Sequence, residues 1–194
     1  MSHDKLNLTE AAGATIIRGP GNIVDELKLK GRYHVECLDA DGKLKWAEDI
    51  DNVVTTIGKN LLLDTVLAGS AYTVTGPYMG LISSVSWSAV NATDTMASHS
   101  GWTEAGSTNA PTFSARIICA WAAASAGAKA LSAALSFTMT GDGTLEGCFI
   151  VYGTGAVVTL MNTSGTLLSA GAFSGGSRAV LSGDTVNVSY SLSI

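Results

Sequence analysis

Residues 32–50 read RYHVECLDADGKLKWAEDI, two alternating runs on either side of Asp41-Gly42. An Asp-Gly pair between alternating apolar and polar residues is the strongest short-range hairpin signal, because a tight primed turn needs positive φ at its centre. A two-residue loop there sets Cys37 opposite Trp46 and Tyr33 opposite Ile50 on one face. The other face pairs His34 with Asp49 and Leu38 with Lys45. One side apolar and one side charged is the pattern of a sheet with one face on a core and one in water. A calcium-loop reading of Asp39-Ala40-Asp41-Gly42 fails, since the glycine falls two places early and Lys43 takes the fifth position.

C-terminal to the hairpin, Ile57, Leu61, Leu62 and Val66 fall at helical spacing. Thr55 or Thr56 is placed to cap the start and Gly69 to take the left-handed stop, which predicts a helix over about 56–68. Tyr78, Met79, Leu81 and Ile82 then open a strand. The second half is a succession of strands. Ala115, Ile117, Cys119 and Trp121 alternate, followed by an Ala-rich stretch to Ala130 in which Gly127 and the lack of large apolar side chains favour a loop over a helix. Leu131, Ala133, Leu135, Phe137 and Met139 alternate strictly. Leu145–Tyr152 is apolar on both faces, the mark of a central strand. Val157, Val158 and Leu160 read as a shorter one. In the last run Val186, Val188, Tyr190, Leu192 and Ile194 face one way and Thr185, Asn187, Ser189 and Ser191 the other. Short strands with turn-rich spacing give a mainly β fold, an antiparallel β-sandwich or jelly roll with one helix. Residues 32–194 make that domain. Residues 1–31, punctuated by glycine and carrying only short apolar pairs such as Ile16-Ile17 and Ile23-Val24, read as an extended N-terminal arm.

Composition excludes several classes of function. The 194 residues are 46% hydrophobic and 14% charged, with 22 glycines and a net charge of −5. Soluble domains carry about 25% charged residues, so this surface is Ser, Thr, Gly and Ala, or is covered. An acidic chain with scattered Lys and Arg is not a phosphate-tracking nucleic-acid binder. No apolar run approaches a membrane span. The N-terminal MSHDKLNLTE has no signal-peptide core, giving the expectation of a chain made in a cytoplasm. Cys37, Cys119 and Cys148 are an odd set without metal spacing, each in an apolar run, and read as buried free thiols.

The long polar excursion at residues 84–104 is the place to look for chemistry, because loops of this length in a compact domain are functional or face a partner. Met96 and Trp102 are large apolar anchors within it. Asp94, Ser98, His99 and Ser100 supply the ingredients of a nucleophile–base–orienter set, but no spacing enforces the geometry and no nucleophile elbow is present. The preferred reading is that Ser and Asp cap turns and His99 bonds backbone, so no catalytic residue is assigned. His34 and His99 lie far apart without a paired motif, so no metal and no cofactor are expected. Trp46 and Trp121 read as core, Trp87 and Trp102 as contact residues. Trp87, Met96, His99, Trp102, Ile16, Ile17 and Ile23 are the candidate partner-contact residues.

Gly58–Asp64, Tyr78–Ile82, the run Asp94-Thr95-Met96-Ala97-Ser98-His99-Ser100-Gly101-Trp102-Thr103-Glu104, Gly147–Ile150 and Ser182–Tyr190 occur in an order that resembles small virion proteins of tailed bacteriophages. These are similar to capsid cement or decoration proteins of jelly-roll type. The resemblance spans about residues 52–194, and Asp-Thr-Met-Ala-Ser-His is its most specific part. Where such relatives carry Arg-Pro before the next strand, this chain reads Ala115-Arg116-Ile117. The resemblance implies a non-enzymatic virion component that stabilises a capsid shell, with the major capsid protein as partner; self-association as a dimer or trimer is expected because an edge strand or the arm can be shared between copies. The acidic composition and the lack of a long apolar run give the expectation of no direct nucleic-acid or membrane partner. On the capsid reading the arm runs along neighbouring subunits, and residues 84–104 touch the shell or a symmetry mate. The alternative is a glycan-binding module of a head fibre or tail component, using Trp87 and Trp102.

Overall fold

The computed structural model describes residues 28–67 and 75–194, with the backbone of 17–19 and 22–24. In chain order the elements are β1 (Ile17–Gly19), β2 (Asn22–Val24), β3 (Lys30–Leu38), β4 (Leu44–Asp51), β5 (Val53–Val54), α1 (Thr56–Leu67), β6 (Tyr78–Ser83) and β7 (Thr103–Glu104). They continue with β8 (Ile117–Ile118), β9 (Ala128–Ala130), β10 (Leu135–Thr138), β11 (Gly143–Tyr152), β12 (Thr166–Ala172), β13 (Arg178–Val180) and β14 (Thr185–Ser193). Sheet one runs β10-β14-β3-β4, with β9 also on β14; sheet two runs β5-β12-β11-β6-β7, with β13 on β11 and β8 on β6. All these pairings are antiparallel. The sandwich expected from the sequence is the fold. Of the expected arm, β1 and β2 pair with Ile17 opposite Val24. Ile16 lies outside the described residues, as do the side chains of Ile17 and Ile23.

The hairpin that decided the reading holds in three of its four pairs: Tyr33 with Ile50, His34 with Asp49 and Cys37 with Trp46. Leu38 pairs with Leu44 rather than Lys45. Only Gly42 of the Asp41-Gly42 pair takes positive φ, at 79°. The turn is therefore a longer loop closed by Gly42 N–H donating to the Asp39 carbonyl at 2.9 Å, with Asp39 Oδ1 accepting the amides of Asp41 and Lys43. The extra residue is Lys45, whose ammonium reaches the buried carboxylate of Asp184 at the start of β14.

The alternation of β3 and β14 puts Tyr33, Val35, Cys37, Val186, Val188 and Tyr190 between the sheets, against Met79, Leu81, Cys148 and Ile150 of sheet two. Full burial of each large apolar side chain contributes roughly 1.5–3 kcal/mol. Polar bonds fix one sheet against the other. Tyr33 shares a 2.8 Å hydroxyl bond with Ser169 of β12. At the β4 edge the Glu48 carboxylate accepts from the Ser174 amide at 2.6 Å and Arg178 Nε at 2.8 Å. The Trp46 indole N–H donates to the Ala179 carbonyl at 3.1 Å. All three cysteines are free and buried, and burial pushes the Cys37 thiol up to about 11 and Cys119 to about 12.

Helix α1 occupies Thr56–Leu67, with Thr55 as its cap: Gly58 N–H donates to Thr55 Oγ1 at 3.0 Å. The expected stop at Gly69 lies outside the described residues. The helix packs on β12, but not by the face that the apolar spacing suggested. Its closest approach is Gly58, where a Cβ would sit 2.6 Å from the Leu168 carbonyl oxygen. The contact face is therefore Gly58 with half-buried Leu61 and Leu62, while Ile57 and Val66 are exposed.

Elsewhere β11 is the central strand of its sheet, as its two apolar faces required. Residues 120–130 form no helix; Ser125 and Ala128 close a tight turn over Ala126-Gly127, both at positive φ. The strand expected over 131–139 is confined to Leu135–Thr138, and that over 115–121 to Ile117–Ile118. Val157–Leu160 is not a strand; its carbonyls instead receive bonds from Arg116.

Two predictions follow from this packing. Gly147 in β11 passes so close to β12 that a Cβ would lie 1.9 Å from the Gly171 carbonyl oxygen. Gly147→Ala is expected to cost about 3 kcal/mol in urea unfolding, because backbone cannot yield as a side chain can. Gly42→Ala, with open space around it and only the positive φ to offend, costs about 1–2 kcal/mol. Separately, bonds to Asp49 at 2.9 Å and then Glu36 at 3.2 Å raise the pKa of His34 above its ordinary 6.5. The same His34 bond, the largest cause, lowers that of Asp49 below 3.8. The pair's contribution is complete between those two ordinary values, fades as pH rises through the folded pKa of His34, and fades as pH falls through that of Asp49. The stability gap between wild type and His34→Asn is therefore larger at about pH 5.5 than at about pH 8.5. Urea midpoints at the two pH values measure it.

Candidate functional site

The excursion between β6 and β7 is not an open loop. It lies across the outer face of sheet two, where Ile82, Phe149, Val151 and Leu167 present a second apolar surface. Met96 and Trp102 are buried in that surface, at 2% and 1% exposure, and Ala156 completes it. Trp87 and Val90 pack at its margin. This is why β11 reads as apolar on both faces: one faces sheet one and the other faces the loop.

The polar residues of Asp94–Glu104 shape the loop to fit. Thr95 and Ser98 bond each other's backbones, N–H to carbonyl, at 2.9 and 3.2 Å, making a tight turn with Met96 at its tip. The Trp102 amide donates to the His99 carbonyl at 3.3 Å, and His99 Nδ1 bonds the Trp102 carbonyl at 3.0 Å. A carbonyl only accepts, so Nδ1 carries the proton. The His99 ring stacks on the Trp102 indole with centroids 3.9 Å apart. The Trp102 indole N–H donates to Asp94 Oδ2 at 3.0 Å, and the same oxygen accepts the Asn91 amide at 2.9 Å. Asp94 is thus bonded to tryptophan and backbone, and His99 Nδ1 to backbone. A Ser-His-Asp relay needs the carboxylate on that nitrogen, and the residues do not assemble one.

Beside this lies a feature that the sequence reading missed, an ion pair between Glu104 and Arg116 whose side chains are 4% and 0% exposed. It is bidentate: Arg116 Nε donates to Oε1 at 2.8 Å and Nη2 to Oε2 at 2.7 Å. Nη2 also donates to the Asn162 carbonyl at 2.7 Å and Nη1 to the Val157 carbonyl at 3.3 Å. Glu104 Oε2 accepts the Met161 amide at 2.7 Å, and the guanidinium carbon sits 5.4 Å from the centroid of the Phe149 ring. Three segments distant in sequence (103–109, 115–117 and 157–162) converge on one charge pair. The available signal was indirect: Glu104 ends the Asp94–Glu104 run, and Arg116 lies in the Ala115-Arg116-Ile117 stretch between that run and the next strand.

A cleft of ≈ 170 Å³ opens beside Glu104, walled by Met96, His99, Asn109 and Met161. The Glu104 carboxylate that lines it is spent on Arg116 and on the Met161 amide. Among the described residues no three His, Cys, Asp or Glu side chains converge as a metal site would require.

The candidate contact residues therefore divide. Trp87 and His99 are partly exposed. Met96 and Trp102 are withdrawn from the surface, because the loop needs both to hold its own sheet. Comparison of the chain with protein-family models, with curated proteins and with solved structures finds no match.

Removing one partner of a buried pair strands the other charge, which costs about 3–5 kcal/mol. Arg116→Met is expected to lose that much in chemical denaturation, and Arg116→Met with Glu104→Leu clearly less than the sum of the two single losses. A loss under about 1 kcal/mol for Arg116→Met would contradict the role given to the pair.

Proposed function

We propose that this chain is a capsid cement or decoration protein of a tailed bacteriophage, which binds the assembled shell through its major capsid protein and acts in the virion. The observation that carries the reading is the use made of the Asp94–Glu104 segment, on which the likeness to virion proteins rests. Its acid, histidine, indole and carboxylate are all turned to clamping a loop onto sheet two. What remains outward is a rigid, charge-poor β-body that offers shape to a partner, with apolar side chains such as Leu44, Ile118, Leu181 and Val158 in solvent. A protein that binds only the assembled lattice stabilises that lattice by mass action, by about 2.7 kcal/mol at a hundredfold excess over Kd, and repeated contacts multiply the effect.

The glycan-binding alternative relied on Trp87 and Trp102 as a stacking platform. With Trp102 at 1% exposure, only Trp87 is left to stack on a sugar, which favours the shell. Purified protein mixed with empty expanded shells is expected to co-sediment at a fixed ratio to the capsid subunits and to raise the temperature at which shells disassemble. Failure to bind shells, together with binding to a glycan array that is lost in Trp87→Ala, would overturn this reading in favour of the host-surface one.

A further inference from the structure

Helix α1 exposes large apolar side chains on the side away from Gly58. Gly58 is its buried residue and Leu61 and Leu62 are half-buried, yet Leu63 is 54% exposed, Val66 77% and Leu67 75%. At 3.6 residues per turn, the line opposite Gly58 runs through Thr56, Asn60, Leu63 and Leu67, a spacing of four, three and four. That is the a/d spacing of a coiled-coil seam, with Asn60 and Leu67 at a and Thr56 and Leu63 at d. The flanking positions are then Lys59 and Val66 on one side and Ile57 and Asp64 on the other.

Lys59 and Asp64 are five residues apart on opposite flanks. This is the g-to-e′ relation that joins two parallel helices, and it cannot be made within one helix, whose neighbours are three and four apart. Neither residue forms an ion pair among the described residues. In a two-fold parallel pair, Lys59 of each copy meets Asp64 of the other, Leu63 meets Leu63 and Leu67 meets Leu67. Asn60 meets its own copy across the axis, the single polar a residue that fixes register. An antiparallel pair brings like flanks together and leaves Lys59 without its acid.

We propose that the exposed face of α1 is a homodimer interface, on which a second copy of this chain lays its own α1 in parallel, locked by reciprocal Lys59–Asp64 bridges. The dimer does not depend on shell binding, so either reading can fail while the other stands. The seam is three turns long, so the association is a concentration-dependent one rather than a permanent one.

Sedimentation equilibrium of the full chain over a concentration series tests it. Wild type is expected to be a dimer in equilibrium with monomer. Lys59→Glu and Asp64→Lys should each weaken the dimer roughly tenfold, and the double charge reversal should recover to within about threefold of wild type. Leu63→Lys should give a monomer that melts where dilute, monomeric wild type melts, because Leu63 is more than half exposed in the monomer. A wild type that stays monomeric throughout, a dimer indifferent to Leu63→Lys, or a double reversal no better than the single ones would each overturn the proposal. Shell co-sedimentation of the monomeric Leu63→Lys protein, run alongside, reports on the cement reading separately.

Discussion

The centre of sheet two has no face that meets water. Its central strand β11 carries Cys148 and Ile150 toward sheet one and Phe149 and Val151 the other way, and both sets are fully buried. An antiparallel sheet of this kind needs a cover on each side, since leaving Phe149 and Val151 in water would forfeit several kcal/mol of apolar burial. The stretch between β6 and β7 is that cover. Everything particular about Asp94–Glu104 follows from the requirement that a polar, irregular segment lie flat on an apolar sheet without leaving its own backbone groups unbonded.

The solutions repeat across the molecule. Where a loop must hold its place, a buried or half-buried carboxylate gathers donors around itself. Asp94 holds the Trp102 indole and the Asn91 amide, Glu104 the Arg116 guanidinium and the Met161 amide, and Glu48 the 174–178 turn. Few charges are present, and those that exist are largely committed inside the chain. A body built this way has little left for reaction chemistry and a great deal of uncharged surface for contact, which is the physical content of the cement proposal. On the outer side of α1, exposed Leu63, Val66 and Leu67 lie beside Lys59 and Asp64, which form no ion pair among the described residues.

How much of this was legible beforehand depended on the range of the interaction. The 32–50 hairpin, a cap at Thr55 or Thr56 and the central placement of β11 follow from local pattern. The hairpin's last pair slipped because Lys45 answers to Asp184, a residue far along the chain. The face by which α1 packs was misjudged because a glycine, invisible to an apolar count, allows the closest approach. In the site, Met96 and Trp102 were recognised as anchors, but whether an indole faces a partner or its own sheet is a tertiary fact. The Glu104–Arg116 pair had no direct signature, because its geometry exists only once three separate segments have met.

The central claim is that residues 84–102 belong to the cooperative core, as a layer of the fold and not a loop attached to it. Native-state hydrogen exchange measures this directly. The amides of Thr95, Ser98 and Trp102, whose bonds to Ser98, Thr95 and His99 carbonyls close the loop, are expected to open with free energies close to those of Phe149 and Ile150 in β11. Fast exchange at those loop amides, with β11 still fully protected, would contradict the account.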